Sequence, residues 1–205
     1  MIAEPDVTLT DYALAVECAV LARLVAGHGG AASGWFALFF AALGIGAAAG
    51  GTVHGFPGVL ETTLWLAALL ALGVGAWAAT MAGVRIGLPA SAARWVARGA
   101  SLGLVLYAVT VTWISRDFAL AIVGYLPAVV FLFAVFAWRY ARDRAPGSGA
   151  AMAGLALTLA AAAVQHYRIA PPRLPLDHNA LYHLVQAVAL FLIYRGARQA
   201  EPLGR

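Results

Sequence analysis

Seven apolar blocks alternate with short polar or turn-rich stretches along the chain, at about 11–27, 34–53, 59–81, 93–114, 118–139, 150–167 and 179–196. Each is close to the roughly 17–25 mostly apolar residues that a membrane-crossing helix needs. The breaks carry turn and helix-breaker signals: His28-Gly29-Gly30, Gly55-Phe56-Pro57-Gly58, Gly87-Leu88-Pro89, Ser115-Arg116-Asp117, Arg142 to Gly147, and Pro171-Pro172-Arg173-Leu174-Pro175. The pattern predicts an all-α polytopic membrane protein, one transmembrane domain over residues 1–205. No longer repeat underlies the blocks, so their regularity is that of spans.

Composition agrees with this reading. Of 205 residues, 63% are hydrophobic and 11% charged, with a mean hydropathy of +0.85, whereas soluble domains carry about 25% charged residues. The first ten residues hold Glu4 and Asp6 but no Lys or Arg, which argues against a cleavable leader with a basic start. Cys18 is the single cysteine and has no internal disulfide partner.

All 13 basic residues are arginine. They are scattered over the turns rather than gathered into a stripe, which fits membrane orientation and not nucleic-acid binding. With alternating spans, Arg116, Arg168 and Arg173 share the side of the N-terminus. Arg23, Arg85, Arg94, Arg98, Arg139, Arg142, Arg144, Arg195, Arg198 and Arg205 fall on the other. The arginine-rich side is cytoplasmic by the positive-inside rule, so the N-terminus is expected outside and the C-terminus inside. Arginine without lysine, together with abundant Ala and Gly, suggests a GC-rich bacterial genome and hence a bacterial inner membrane.

That topology gathers the unusual polar residues in the outer leaflet. Glu17 lies two turns inside span 1, His54 ends span 2 and Glu61 begins span 3. Gln165 and His166 close span 6, while Asp177, His178, Asn179 and His183 open span 7. Only His28, of the five histidines, falls on the cytoplasmic side. Polar groups inside a membrane cost about 2.5–3.5 kcal/mol each when charged and are functional candidates by default. Histidines with carboxylates also form a common ligand set for zinc. Simpler roles stand beside these. Boundary histidines serve as interfacial groups, and Glu61 and Asp177 complement the helix macrodipole. Trp35, Trp65, Trp113 and Tyr182 suit packing or aromatic belts. Span 2 is rich in small residues, and Gly46 and Gly50 form a small-xxx-small face that predicts a central helix.

Gly51-Thr52-Val53-His54 closes span 2, and Asp177-His178-Asn179-Ala180-Leu181-Tyr182-His183 opens span 7. On these motifs and the span count the chain resembles the superfamily of seven-span membrane hydrolases that contains the alkaline ceramidases and the adiponectin/progestin receptors. The span-7 motif aligns without a gap to the ceramidase pattern D-x-H-A-x-W-H. The resemblance implies a zinc held by His54 and His183, with His178 or His166 completing the set. It also implies a metal-bound hydroxide attacking a lipid amide or ester, with Glu61 or Asp177 moving the proton. Asn179 stands at the family's first span-7 histidine and would orient substrate or stabilise an oxyanion. Gly50 stands where the family has a serine, and Trp65 where it has an aspartate. Those departures open two alternatives: a non-catalytic membrane receptor or binding protein for a metal or lipid, and a haem protein with paired axial histidines. Inverted repeats of the transporter kind are absent from the sequence.

Overall fold

The computed structural model describes residues 2–170 and 176–200. The break at Pro171–Pro175 and the arginines Arg173 and Arg205 lie outside the described residues. Each apolar block is a helix: α1 (Pro5–Ala26), α2 (Ser33–Gly55), α3 (Glu61–Gly87), α4 (Ala90–Val109), α5 (Phe118–Asp143), α6 (Ser148–His166) and α7 (His178–Ala197). Among the described residues all regular structure is helical. A π-helical turn, Thr110–Ile114, continues α4. Six helices, α2 to α7, are long and apolar enough to cross a membrane. The exception, α1, carries Asp6, Asp11, Glu17 and Arg23.

Local chemistry explains the helix starts. Pro5 occupies the first turn of α1, where its missing N–H costs nothing. Asp117 and Asp177 cap α5 and α7, their carboxylates accepting from the backbone N–H of Ala119 and Asn179 at 2.8 Å. The helix α1 begins six residues before its apolar block, because the charged residues of its first turns still follow the helical period.

Six helices close a ring in the order α1, α2, α3, α5, α6, α7, with α7 returning to α1. The remaining helix, α4, packs against α3 on the outside, and its α-helical part buries no residue. Tyr107 fastens it. The ring of Tyr107 lies against Gly73 of α3 and Gly124 of α5, and its hydroxyl donates to the Leu69 carbonyl at 2.9 Å.

The α1–α2 interface is close because four α2 glycines face α1, three of them at positions where a Cβ would crowd it. A Cβ on Gly44 would lie 3.0 Å from Cys18 Cβ, one on Gly51 2.8 Å from Asp11 Cβ, and one on Gly55 2.8 Å from Thr8 Cγ2. The expected Gly46/Gly50 face is split between two neighbours. Gly46 faces Ala68 and Leu72 of α3, and Gly50 faces Asp11 of α1. The small-residue contact that matters is therefore the one a heptad apart. In lipid such close backbone packing replaces the hydrophobic effect as the force that joins helices.

Apolar packing is densest away from the end where α1, α3, α5 and α7 begin. Phe36, Phe39, Phe40 and Phe136 are fully buried there; Phe36 packs on Phe136, and Phe40 meets Phe39 and Tyr194. The other end of the ring holds the polar contacts that α1 makes with α2 and α7.

Candidate functional site

The first three turns of α1 form a polar ladder to its two ring neighbours. Toward α2, the Glu4 carboxylate meets His54 Nδ1 at 2.9 Å, and the Tyr12 and Thr52 hydroxyls meet at 2.9 Å. Toward α7, Asp6 accepts the Asp177 backbone N–H at 2.8 Å. Thr10 and Asp11 both reach His183. Interhelical hydrogen bonds in membranes average about 0.6 kcal/mol, so this ladder is worth on the order of 3 kcal/mol together.

Asp11 and His183 are the innermost rung. Asp11 is 4% exposed and His183 8%, with Asp11 Oδ1 3.1 Å from His183 Nε2. On the other side of the imidazole, Nδ1 lies 3.1 Å from Thr10 Oγ1. The Thr10 hydroxyl is within 2.8 Å of the Asp6 carbonyl and 3.0 Å of the Val7 carbonyl. Its one hydrogen therefore goes to the backbone, and its oxygen accepts from Nδ1–H. Nε2 and Oδ1 are left facing each other, and two lone pairs at that distance would repel. A proton sits between them, as carboxylic acid on imidazole or imidazolium on carboxylate. In both forms the pair has no net charge, the cheapest state for two buried ionisable groups.

This pair lines one end of a cavity of about 130 Å³ inside the ring. All six ring helices contribute to its wall. Leu14, Leu43, Leu72, Ile122, Val129 and Leu190 make most of it apolar, and Tyr125, Tyr182, Thr158, Gln165 and Gln186 add polar groups. Leu126 of α5 and Leu159 of α6 also line it, yet are 46% and 36% exposed on the outer face of the bundle. The cavity therefore borders the outside between α5 and α6.

Two side-chain amides on this wall are incompletely satisfied. The Thr158 hydroxyl donates to the Gly154 carbonyl at 3.2 Å, so it accepts from Gln186 Nε2 at 3.4 Å. That fixes the amide orientation and leaves Gln186 Oε1 buried without a donor. Gln165 Oε1 is likewise buried and unpaired.

The residues expected from sequence are distributed over three places. His183 faces the cavity. His54 and Glu61 do come together, but in a separate surface groove with Glu4, Trp65 and Arg116. There Glu61 accepts the Gly58 N–H at 3.3 Å, and the Trp65 indole donates to the Arg116 carbonyl at 2.9 Å. Asp177 and His178 form a local pair at 3.0 Å at the start of α7. Desolvation raises the Asp177 carboxyl, but the Asn179 N–H and the His178 ring outweigh it and hold the group below its ordinary value. Asn179 takes part through its backbone N–H. His166 is exposed and meets Tyr167 edge-on at 4.9 Å, an interfacial placement. Glu17 is half-buried and makes no hydrogen bond or ion pair among the described residues. His28 accepts from Arg198 Nε at 2.8 Å at the opposite end.

The implied zinc can be tested against this arrangement. Among the described residues no three His, Cys, Asp or Glu side chains gather to hold a metal ion. His54, His178 and His183 each turn to a different carboxylate, Glu4, Asp177 and Asp11. Helix α1 stands between α2 and α7 at this end, and it and its N-cap residue Glu4 supply two of those carboxylates. Among the described residues the histidines do not form that ligand set.

The residues that sequence reasoning missed are Asp11, Thr10, Thr158 and Gln186. A signal for Asp11 was there. Val7, Asp11, Leu14, Cys18, Leu21 and Val25 are buried at alternating spacings of four and three, so a carboxylate sits on the inward stripe of α1.

The chain belongs to a family of unknown function (DUF6962), whose model matches residues 7–202. No curated protein and no solved structure matches it.

Proposed function

We propose that this chain is a seven-span membrane protein that binds a small amphiphile in the lumen of its helical ring. The ligand is admitted sideways from the bilayer between α5 and α6. One observation carries this reading: the cavity is apolar along its walls, polar at the Asp11–His183 end, and bordered by Leu126 and Leu159, which also face outward. Pockets for small molecules have this build, apolar with a few placed polar groups. The tail of an amphiphile would pass between the two leucines while its head met the polar end.

The topology belongs to the same proposal. Arg116 and Arg168 are the described arginines at the site end, and the other nine lie toward the opposite end. The site end then faces outward across a bacterial inner membrane. Of the charges of α1, Asp11 is paired inward and Asp6 and Arg23 lie near the helix ends, which leaves Glu17 as the mid-helix charge a seventh span has to carry.

A metal-dependent hydrolase of a lipid amide or ester, the activity implied by the ceramidase resemblance, has less support, because the histidines do not share a ligand position. Metal content of detergent-purified protein, wild type beside His183→Ala, separates the two. Stoichiometric metal lost in the variant would favour the hydrolase.

The binding reading is tested by filling the cavity. Ala162 lies on its wall. Mass spectrometry of the purified protein is expected to find a co-purifying amphiphile in wild type and to lose it in Ala162→Trp, with the variant still folded. Equal retention in both proteins would sink the reading.

A further inference from the structure

Two buried acceptors at the polar end have no protein donor. Gln186 Oε1 and Gln165 Oε1 are buried without a donor, on the wall of the same cavity. Asp11 Oδ2 adds a third acceptor, since the contact with His183 uses Oδ1. Gln186 is 5% exposed, and its Nε2 donates to a Thr158 hydroxyl that itself donates to the Gly154 carbonyl. A buried acceptor with no partner costs about 1–3 kcal/mol. The Asp11–His183 pair is neutral as a whole, so the site carries no net charge to balance a buried ligand charge.

We infer that the cavity selects an uncharged amphiphile whose head carries N–H or O–H donors, such as a long-chain primary amide or alcohol. This inference rests on the binding role proposed above. An ester head brings acceptors only, and an ionised carboxylate brings acceptors and a charge. Either would leave Gln165 and Gln186 unpaired. A donor head satisfies them, and sites that hydrogen-bond a ligand group discriminate strongly against analogues lacking it.

The probes are decanamide and methyl decanoate, which share a chain and differ in donors. Each is titrated against wild type, Gln186→Leu and Gln186→Met in lipid nanodiscs, with affinity referred to probe concentration in the bilayer. Wild type is expected to prefer decanamide by about tenfold. Both variants are expected to lose most of that preference, read as the ratio of the two affinities within each protein. Equal binding of the two probes by wild type overturns the donor rule and leaves the binding role standing. A preference that survives both substitutions also overturns it, because the head would then be read elsewhere. Binding of neither probe overturns the binding role and this inference together. If the variants fail to fold, the wild-type comparison alone decides.

Discussion

Asp11 and His183 hold one proton between them in a place where neither is at ease alone. Removing one partner of a buried pair strands the other, at a cost of about 3–5 kcal/mol, whereas replacing both with apolar groups is often neutral. Asp11→Ala and His183→Ala are each expected to lower thermal stability strongly. The double variant Asp11→Leu/His183→Leu should be closer to wild type than either. Melting of detergent-solubilised protein checks this, and a single variant that melts like wild type would remove the pair from the account. Asp177 behaves differently because it is exposed. Its carboxyl is held below its ordinary value, so the helix-capping stability it adds is full above about pH 4. It is lost as pH falls through the lower folded value. Asp177→Asn should flatten the acid limb of the melting profile by lowering the neutral plateau toward the acid value, with little change below that pH. Of these residues, His183 was legible from sequence as a polar group one turn inside a span. Asp11 was not, because the apolar block begins at residue 11 itself, where a carboxylate stands at the edge of the hydrophobic pattern. The helix begins at Pro5, which puts Asp11 about 9 Å inside it.

Among the elements, α1 and α4 are placed by contacts that hydropathy does not record. The pull of α1 into the ring depends on the glycines of α2. Gly51→Ala puts a Cβ 2.8 Å from Asp11 Cβ, so the helices must part or Asp11 must move. Overpacking of this kind costs about 1–3 kcal/mol, and it should loosen the Asp11–His183 contact along with the interface. Gly99→Ala is the matching control on α4. Nothing lies within 4 Å of its added Cβ, so melting should stay the same or rise slightly through better helix propensity. Equal losses at both positions would mean that backbone conformation, not the α1 contact, sets the effect. The positions of all seven helices were readable because a helix in lipid must satisfy its own backbone over a fixed length. Their arrangement was not. Apolar blocks look alike whether they face lipid or protein, so nothing in α4 marks it as lying outside the ring. For the same reason the outer-leaflet histidines seemed to converge. They do share an end of the molecule, but α1 gives each a carboxylate of its own or leaves it with a neighbour on α7.

At the scale of the whole molecule, binding and topology stand on one asymmetry. Arginines crowd the end where Phe36, Phe39, Phe40 and Phe136 pack tightly, while the cavity and its polar rung occupy the arginine-poor end. If the arginine-rich end is cytoplasmic, an amphiphile reaches the cavity from the outer leaflet. Single cysteines test this directly, since the native Cys18 is fully buried and should give no background. Ser115 lies in the exposed α4–α5 connection at the cavity end, and Ala31 in the exposed α1–α2 connection at the other. In intact spheroplasts an impermeant maleimide is expected to label Ser115→Cys at once and Ala31→Cys only after permeabilisation. Labelling of both in intact cells would break the span count, because an odd number of crossings separates the two positions. The reverse pattern would keep the count and invert the protein. The cavity would then draw on the inner leaflet, and the positive-inside argument would have failed on a chain whose only cations are arginine.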